Sequence, residues 1–310
     1  MPGQDSTRKT PVLFCLLLAA SLFCSLLFNS LKAQQQSDDD EVVRVNTDLV
    51  VLNVTVADAG GKYAHGLKKT DFRLFEDGKE QSISSFSAEE TPFAAAVLLD
   101  TSGSMESRIT LARSAAIRFL DGLRENDVAA VYNFDSKIEQ VQEFSSSRDL
   151  APVAFNLRAR GMTSLNDAIV KAARDLNARP EKRRAIIVLS DGADNSSSAS
   201  MDKALANAIA ASVTIYTVDM SQQGSKERQM GVGALRNFAS KSGGRYVSTP
   251  GGQMLREAFA SIVEELSNQY TLTYRSTNRA RDGRWREVGV RLERQELAAR
   301  TRKGYRAPKD

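Results

Sequence analysis

The segment Asp100-Thr101-Ser102-Gly103-Ser104 gathers one carboxylate and two chemically useful hydroxyls within five residues. A glycine at Gly103 permits a tight bend that could turn them toward one point. Two later segments, Gly161-Met162-Thr163 and Ser190-Asp191-Gly192, offer a further hydroxyl and a second carboxylate. Oxygen donors without thiol or imidazole suit a hard cation such as Mg²⁺, Mn²⁺ or Ca²⁺ and argue against zinc and copper. A D-x-S-x-S string by itself has a plainer reading, because Asp and Ser also favour helix N-caps and turns. Its chemistry depends on where the fold puts it.

The surrounding pattern gives that placement. Ala94 to Leu99 is a continuous apolar run, as expected of a strand buried on both faces, and Asp100 follows it directly. Ile109, Ala112, Ala116, Phe119, Leu120 and Leu123 then recur at helical spacing. Val128 to Phe134 reads as a strand. Leu165 to Leu176 reads as a helix and Ala185 to Leu189 as the most apolar strand. Met201 to Ala211 is helical, Val213 to Val218 extended. Leu235 to Ser240, Tyr246-Val247 and Leu255 to Leu266 complete the alternation. Strands and helices in this order predict an α/β fold, a Rossmann-like doubly wound and mainly parallel sheet covered on both faces. Ligands of such sheets bind at the carboxyl ends of the strands, where Asp100 and Asp191 both fall.

In this order and setting, D-x-S-x-S after a buried strand, then Thr, then Asp, the chain resembles the von Willebrand factor type A (VWA) family with its metal-ion-dependent adhesion site. The resemblance runs from roughly Pro92 to Leu266. It implies that Ser102, Ser104 and Thr163 touch a metal directly, and that Asp100 and Asp191 act mainly through bound waters. It also implies Mg²⁺ (or Mn²⁺ or Ca²⁺) as cofactor and adhesion or assembly as the role. The physics agrees with that role. Three neutral hydroxyls leave most of the cation's charge uncompensated, and Mg²⁺ takes about six ligands. A partner protein's Asp or Glu carboxylate could fill the remaining position. Asp135, Asp194 and Asn195 are candidates for the rim, with loop and turn chemistry as their plainer reading.

The flanks are β-rich. Val42 to Ala57 reads as a strand pair or one long strand. Phe72 to Phe75 and Gln81 to Phe86 flank Glu76-Asp77-Gly78-Lys79, a hairpin with an Asp-Gly turn. Tyr270 to Tyr274 and Trp285 to Leu292 are strands joined by Asn278 to Gly283. Each piece alone is too small to bury a core, so the two flanks are expected to build one accessory β module together. The predicted organisation is 1–33 signal peptide or membrane anchor, 34–41 linker, 42–90 N-terminal β module, 91–268 VWA domain, and 269–310 C-terminal strands packing with the N-terminal module. These flanks also resemble an exported bacterial group of VWA-related proteins.

Arg8 and Lys9 precede an uncharged run from Thr10 to Leu31, followed by Lys32, Ala33 and a Gln-rich polar stretch. That is the pattern of a secretory signal with cleavage after Ala33. The run is also long enough to stay as a membrane anchor through residues 10–31. Either way the body is expected outside the cytoplasm, in the periplasm, cell envelope or medium. Asp38-Asp39-Asp40-Glu41 reads as a solvated linker. Both cysteines, Cys15 and Cys24, lie in the apolar run, so a cleaved chain has no disulfide and no thiolate metal site.

The net charge of +4 gives no global reason to expect nucleic acid. From Thr271 to Asp310 there are 12 Arg and Lys against 5 Asp and Glu. The alternation around Arg284-Trp285-Arg286 reads as the solvent face of strands, and a binding patch is the lesser reading. No G-x-S-x-G elbow is present, and the lone histidine, His65, lies outside the α/β region. The expected function is therefore a non-enzymatic, metal-dependent protein-binding module. The alternatives are a metal-assisted hydrolase, with Asp194 or Asp135 as general base, and a structural subunit whose metal only holds loops.

Overall fold

A computed structural model describes residues 49–88, 91–147, 161–221, 227–248 and 252–309. The apolar run, the linker and Val42–Asp48 lie outside the described residues. The described chain opens with β1 (Leu49–Asp58), β2 (Phe72–Glu76), β3 (Lys79–Gln81) and β4 (Ile83–Ser87). Asp77 and Gly78 take φ of 48° and 76°, the positive pair that a two-residue turn needs to match strand twist. Glu76 therefore faces Lys79 and the β2–β3 hairpin closes. The hairpin is shorter than the sequence suggested. Only Lys79–Gln81 returns along β2; Ile83–Ser87 crosses into a different sheet.

The central sheet comprises β5 (Phe93–Asp100), β6 (Val128–Phe134), β7 (Ile138–Ser145), β8 (Arg183–Ser190), β9 (Val213–Asp219) and β10 (Tyr246–Ser248). Its order is β10-β9-β8-β5-β6-β7. All pairings are parallel except β6 with β7. Every residue of β5 is buried, because helices cover both faces. Phe93, Ala95, Val97 and Leu99 pack toward α1 (Ile109–Asp121) and, further along the chain, α5 (Gly252–Ser267). Ala94, Ala96 and Leu98 pack toward α2 (Leu165–Asn177), α3 (Met201–Ala210) and α4 (Glu227–Ser242). The apolar stripes of these helices meet a sheet that presents alternate residues to each side, which is the doubly wound arrangement. Phe119 of α1 lies 6.5 Å from Phe93 and 6.3 Å from Phe259 by ring centroid. Removing that ring would cost roughly 3–5 kcal/mol. Sequence periodicity missed β7, an edge strand in which polar residues outnumber apolar ones.

Two further four-stranded sheets form the accessory module, ordered β13-β1-β11-β4 and β14-β12-β2-β3, with β11 (Tyr270–Arg275), β12 (Trp285–Leu292), β13 (Leu297–Arg300) and β14 (Gly304–Arg306). β1 runs antiparallel to β11 and β2 antiparallel to β12, so strands from both flanks share each sheet. The sheets enclose one core that includes Leu52, Val54, Phe72, Leu74, Tyr270, Leu272 and Val288. Asp48–Asp310 forms one compact unit.

The period-2 alternation along β12 places Trp285 with Glu287, Gly289 and Arg291 on the outer face. Arg286 is instead turned inward, 5% exposed, and reaches Asp282 at 2.9 Å. The expectation of outward arginines and inward apolar residues is thus inverted at this pair. A buried aliphatic stem with a paired head makes the arginine tolerable inside.

Candidate functional site

The buried β5 ends at Asp100, whose carboxylate is fully covered. One oxygen accepts the Ser102 backbone N–H at 2.9 Å, and the other accepts the Ser190 hydroxyl at 2.5 Å from the end of the adjacent β8. The Ser190 hydroxyl also accepts the Gly192 N–H at 2.9 Å. Ser190 therefore ties the first loop to the third, a role the sequence did not disclose. Ser102 is buried, and its hydroxyl lies 3.2 Å from that of the exposed Ser104. A 3₁₀ turn, Gly103–Arg108, follows and leads into α1. Gly103 itself does not use a positive φ. That demand falls on Gly161 and Gly192, at 71° and 82°.

The second loop meets the first where the Gly103 N–H donates to the Gly161 carbonyl at 3.4 Å. Thr163 is buried and pinned through its backbone. Its N–H donates to the Asn195 side-chain oxygen at 2.7 Å, and its carbonyl accepts the N–H groups of Asn195 and Ser196 at 3.0 Å each. No described residue hydrogen-bonds its hydroxyl. The third loop continues this clamp onto the start of α2. Asp194 accepts N–H groups of Asn166 and Ser197 at 2.7 and 3.1 Å. The Asp167 carboxylate accepts those of Ser198 and Ala199 at 2.8 and 2.9 Å.

The three rim candidates thus do turn and capping work. Asp135 accepts the Lys137 N–H at 2.7 Å, while its own carbonyl accepts the Ser164 N–H at 2.8 Å. Asn195 positions Thr163, a positioning role hidden in a sequence separation of 32 residues.

Burial pushes the Asp100 carboxyl up from 3.8 to about 6, against the pull of hydrogen bonds from Ser102 and Ser190 and with a smaller contribution from the negative charge of Asp191. Asp191, half-buried, spends one oxygen on the Ala193 N–H at 3.0 Å. Among the described residues no lysine or arginine pairs with either carboxylate. Nor do three His, Cys, Asp or Glu side chains gather there as a metal-binding group. The arrangement is two carboxylates with an unbalanced charge beside hydroxyls, at the C-terminal edge of a parallel sheet. That donor set fits a hard divalent cation: oxygen-only and low in formal charge.

The family model for the von Willebrand factor type A domain matches residues 96–259. A comparison with curated proteins returned no match. Among solved structures, a von Willebrand factor type A protein from Catenulispora acidiphila is 14% identical, with a TM-score of 0.49, covering 78% of this chain and 75% of its own. The conserved hypothetical protein BatB from Bacteroides thetaiotaomicron is 18% identical, with a TM-score of 0.46, covering 56% of this chain and 98% of its own. The vWF domain of the type V pili tip protein Mfa5 from Porphyromonas gingivalis is 13% identical, with a TM-score of 0.47, covering 56% and 95%.

Proposed function

The chain belongs to the von Willebrand factor type A domain family, and from that premise we propose that it is a divalent-metal-dependent protein-binding module for adhesion or assembly outside the cytoplasm. One observation carries the reading. The buried carboxylate of Asp100 stands near that of Asp191 with no basic partner among the described residues, beside the hydroxyls of Ser102 and Ser104 and the pinned loop of Thr163. Buried like charges are costly unless a cation compensates them.

Asp100, Ser102, Ser104, Thr163 and Asp191 would hold Mg²⁺, or Mn²⁺ or Ca²⁺. When bound, the ion supplies an electrophilic position that a partner's Asp or Glu carboxylate can occupy. Ser190 fixes the Asp100 carboxylate, Asn195 fixes Thr163, and the Asp194 and Asp167 carboxylates hold the third loop on α2. Such prior ordering lowers the cost of engaging a ligand. Binding is favoured over hydrolysis because Asp135 and Asp194, the two candidates for general base, already accept backbone N–H groups. Arg8 and Lys9 ahead of the apolar run Thr10–Leu31 support export, with that run cleaved or kept as an anchor.

The test is a thermal melt of the chain from Gln34 onward with Mg²⁺, Mn²⁺, Ca²⁺ or EDTA, beside Asp100→Ala. A rise in Tm with metal that the variant loses supports the site. An Asp-containing peptide that binds only with metal then supports the partner chemistry. A metal shift without any peptide binding would favour a metal that only holds loops. No shift in either protein would sink the metal reading.

A further inference from the structure

The accessory module has one end that the site described above does not use. β1 begins there, with Leu49 opposite Arg275, the last residue of β11. The nine-residue link from Ser276 to Arg284 follows, and β12 starts with Trp285 opposite Arg306 of β14. The backbones of Asp282 and Lys309 form an isolated antiparallel pair across the same link. The hydroxyls of Tyr274 and Tyr305, from the two sheets, both donate to the buried Glu76, at 2.7 and 2.9 Å, which holds this end together.

The residues displayed here are of two kinds. Arg275, Arg279, Arg284, Arg306 and Lys309 are exposed cations. Leu49 and Trp285 are exposed apolar residues, at 40% and 42%. Of the acids nearby, Asp282 is engaged by the Arg284 backbone N–H at 3.0 Å and by Arg286 at 2.9 Å, and Asp77 accepts the Glu287 N–H at 2.8 Å. Glu287 is a third exposed acid, on the same face as Trp285, and Arg284 also approaches Asp282 at 3.8 Å, so the five displayed cations outnumber three exposed acids. Trp285 is outward although an inward position was available on the same strand, where the structure puts Arg286 instead. An exposed aromatic residue next to Arg284 and opposite Arg306 suits a membrane interface, where the ring sits among headgroups and the cations meet anionic lipid.

We infer that this end of the accessory module, centred on Trp285 and the Arg275–Arg284 link, docks on an anionic lipid surface. The proposal is independent of the metal site. It is tested on the chain from Gln34, which lacks the apolar run and keeps all three apolar cores of the compact unit. Vesicles of phosphatidylcholine with or without phosphatidylglycerol are mixed with the protein at low salt, and Trp285, the sole tryptophan, reports its own environment. The expected result is cosedimentation with the anionic vesicles only, a blue shift of Trp285 emission, and release by salt. The variant Arg275→Glu, Arg279→Glu and Arg284→Glu should partition about a hundredfold less or weaker. Its circular dichroism and metal-induced Tm shift should match the parent, which separates lost docking from lost folding. No cosedimentation at low salt, equal uptake by neutral vesicles, or undiminished binding by the triple variant would overturn the proposal. So would binding to soluble heparin without binding to vesicles, which would assign the face to an anionic polysaccharide.

Discussion

Gly192 and Gly231 meet backbone to backbone: a Cβ added to Gly192 would lie 2.3 Å from the Gly231 carbonyl oxygen, and one added to Gly231 would lie 2.2 Å from that of Asp191. The loop that carries Asp191 is therefore wedged against α4, and its path depends on two missing side chains. Both neighbours are backbone atoms, so neither can rotate away.

The contact makes Gly231→Ala a sharp test. Within a helix, Gly to Ala ordinarily stabilises by up to about 1 kcal/mol. Here steric conflict should reverse the sign and cost about 1–3 kcal/mol. Urea denaturation should show that loss, and the metal-dependent Tm shift should shrink because Asp191 is displaced. A stabilised Gly231→Ala protein would mean that the loop does not sit against the helix.

The elevated Asp100 carboxyl sets a pH dependence. Its folded value of about 6 lies above the ordinary 3.8, so folding favours the protonated acid. The stability this contributes is fully present below 3.8 and is lost as pH rises through 6, on the order of 3 kcal/mol in the metal-free protein. A cation competes with that proton. The Tm increment given by Mg²⁺ should thus grow from pH 5 to pH 7 and then level off, about one unit either side of the folded value. Asp100→Asn should abolish both the increment and the metal-free decline. Melts across pH 5–8 with Mg²⁺ or EDTA would decide; an increment flat across that range would refute the assignment.

Asn195 should matter more for the site than its exposed position suggests. Asn195→Ala removes the acceptor of the buried Thr163 N–H, at a cost of about 1–3 kcal/mol for an unsatisfied group. Positioning groups behind metal ligands typically change affinity by about 10–100-fold. Calorimetric titration with Mn²⁺ should show that range of weakening, while Asn195→Asp, which keeps an acceptor oxygen, should recover most of it. Equal affinity in the Ala variant would limit Asn195 to loop shape.

How much of this was written in the sequence depends on the range of each interaction. The D-x-S-x-S loop was legible because an unbroken apolar run placed it at a strand end, and the helices were legible from their stripes. Thr163 and Asp191 were legible as types, but the hydrogen bonds from Asn195 and Ser190 that place them connect separate loops and leave no local pattern. Gly231 looks like an ordinary helix glycine until Gly192 is seen beside it. Trp285 and Arg286 were misassigned because both are amphipathic, so alternation alone cannot say which one turns inward. The split of the Gln81–Phe86 run into β3 and β4 was likewise decided by partners, Phe75 and Thr273 among them, that lie on different sheets.

Glu265 joins the α/β domain to the accessory module. Buried at 1% exposure near the end of α5, it accepts the Tyr216 hydroxyl of β9 at 2.7 Å and the Thr55 hydroxyl of β1 at 3.1 Å. The Arg300 guanidinium of β13 donates to it, and Arg245 approaches at 3.7 Å. Gln269 extends the network by donating to Thr55 and Tyr216 at 3.2 and 3.0 Å. One carboxylate thus accepts donors from three strands, β9, β1 and β13. Glu265→Ala would leave the buried Tyr216 and the partly exposed Arg300 without their acceptor, a loss of about 1–3 kcal/mol. Glu265→Gln keeps an acceptor but not the charge and should lose less. Because the network spans both parts, unfolding of the Ala variant should also become less cooperative, with the urea transition of the accessory sheets preceding that of the central sheet. Fluorescence of Trp285, in β12, follows the accessory sheets, and far-UV circular dichroism at helix wavelengths follows the central one. Coincident transitions at unchanged midpoint would show that apolar packing alone fastens the two together.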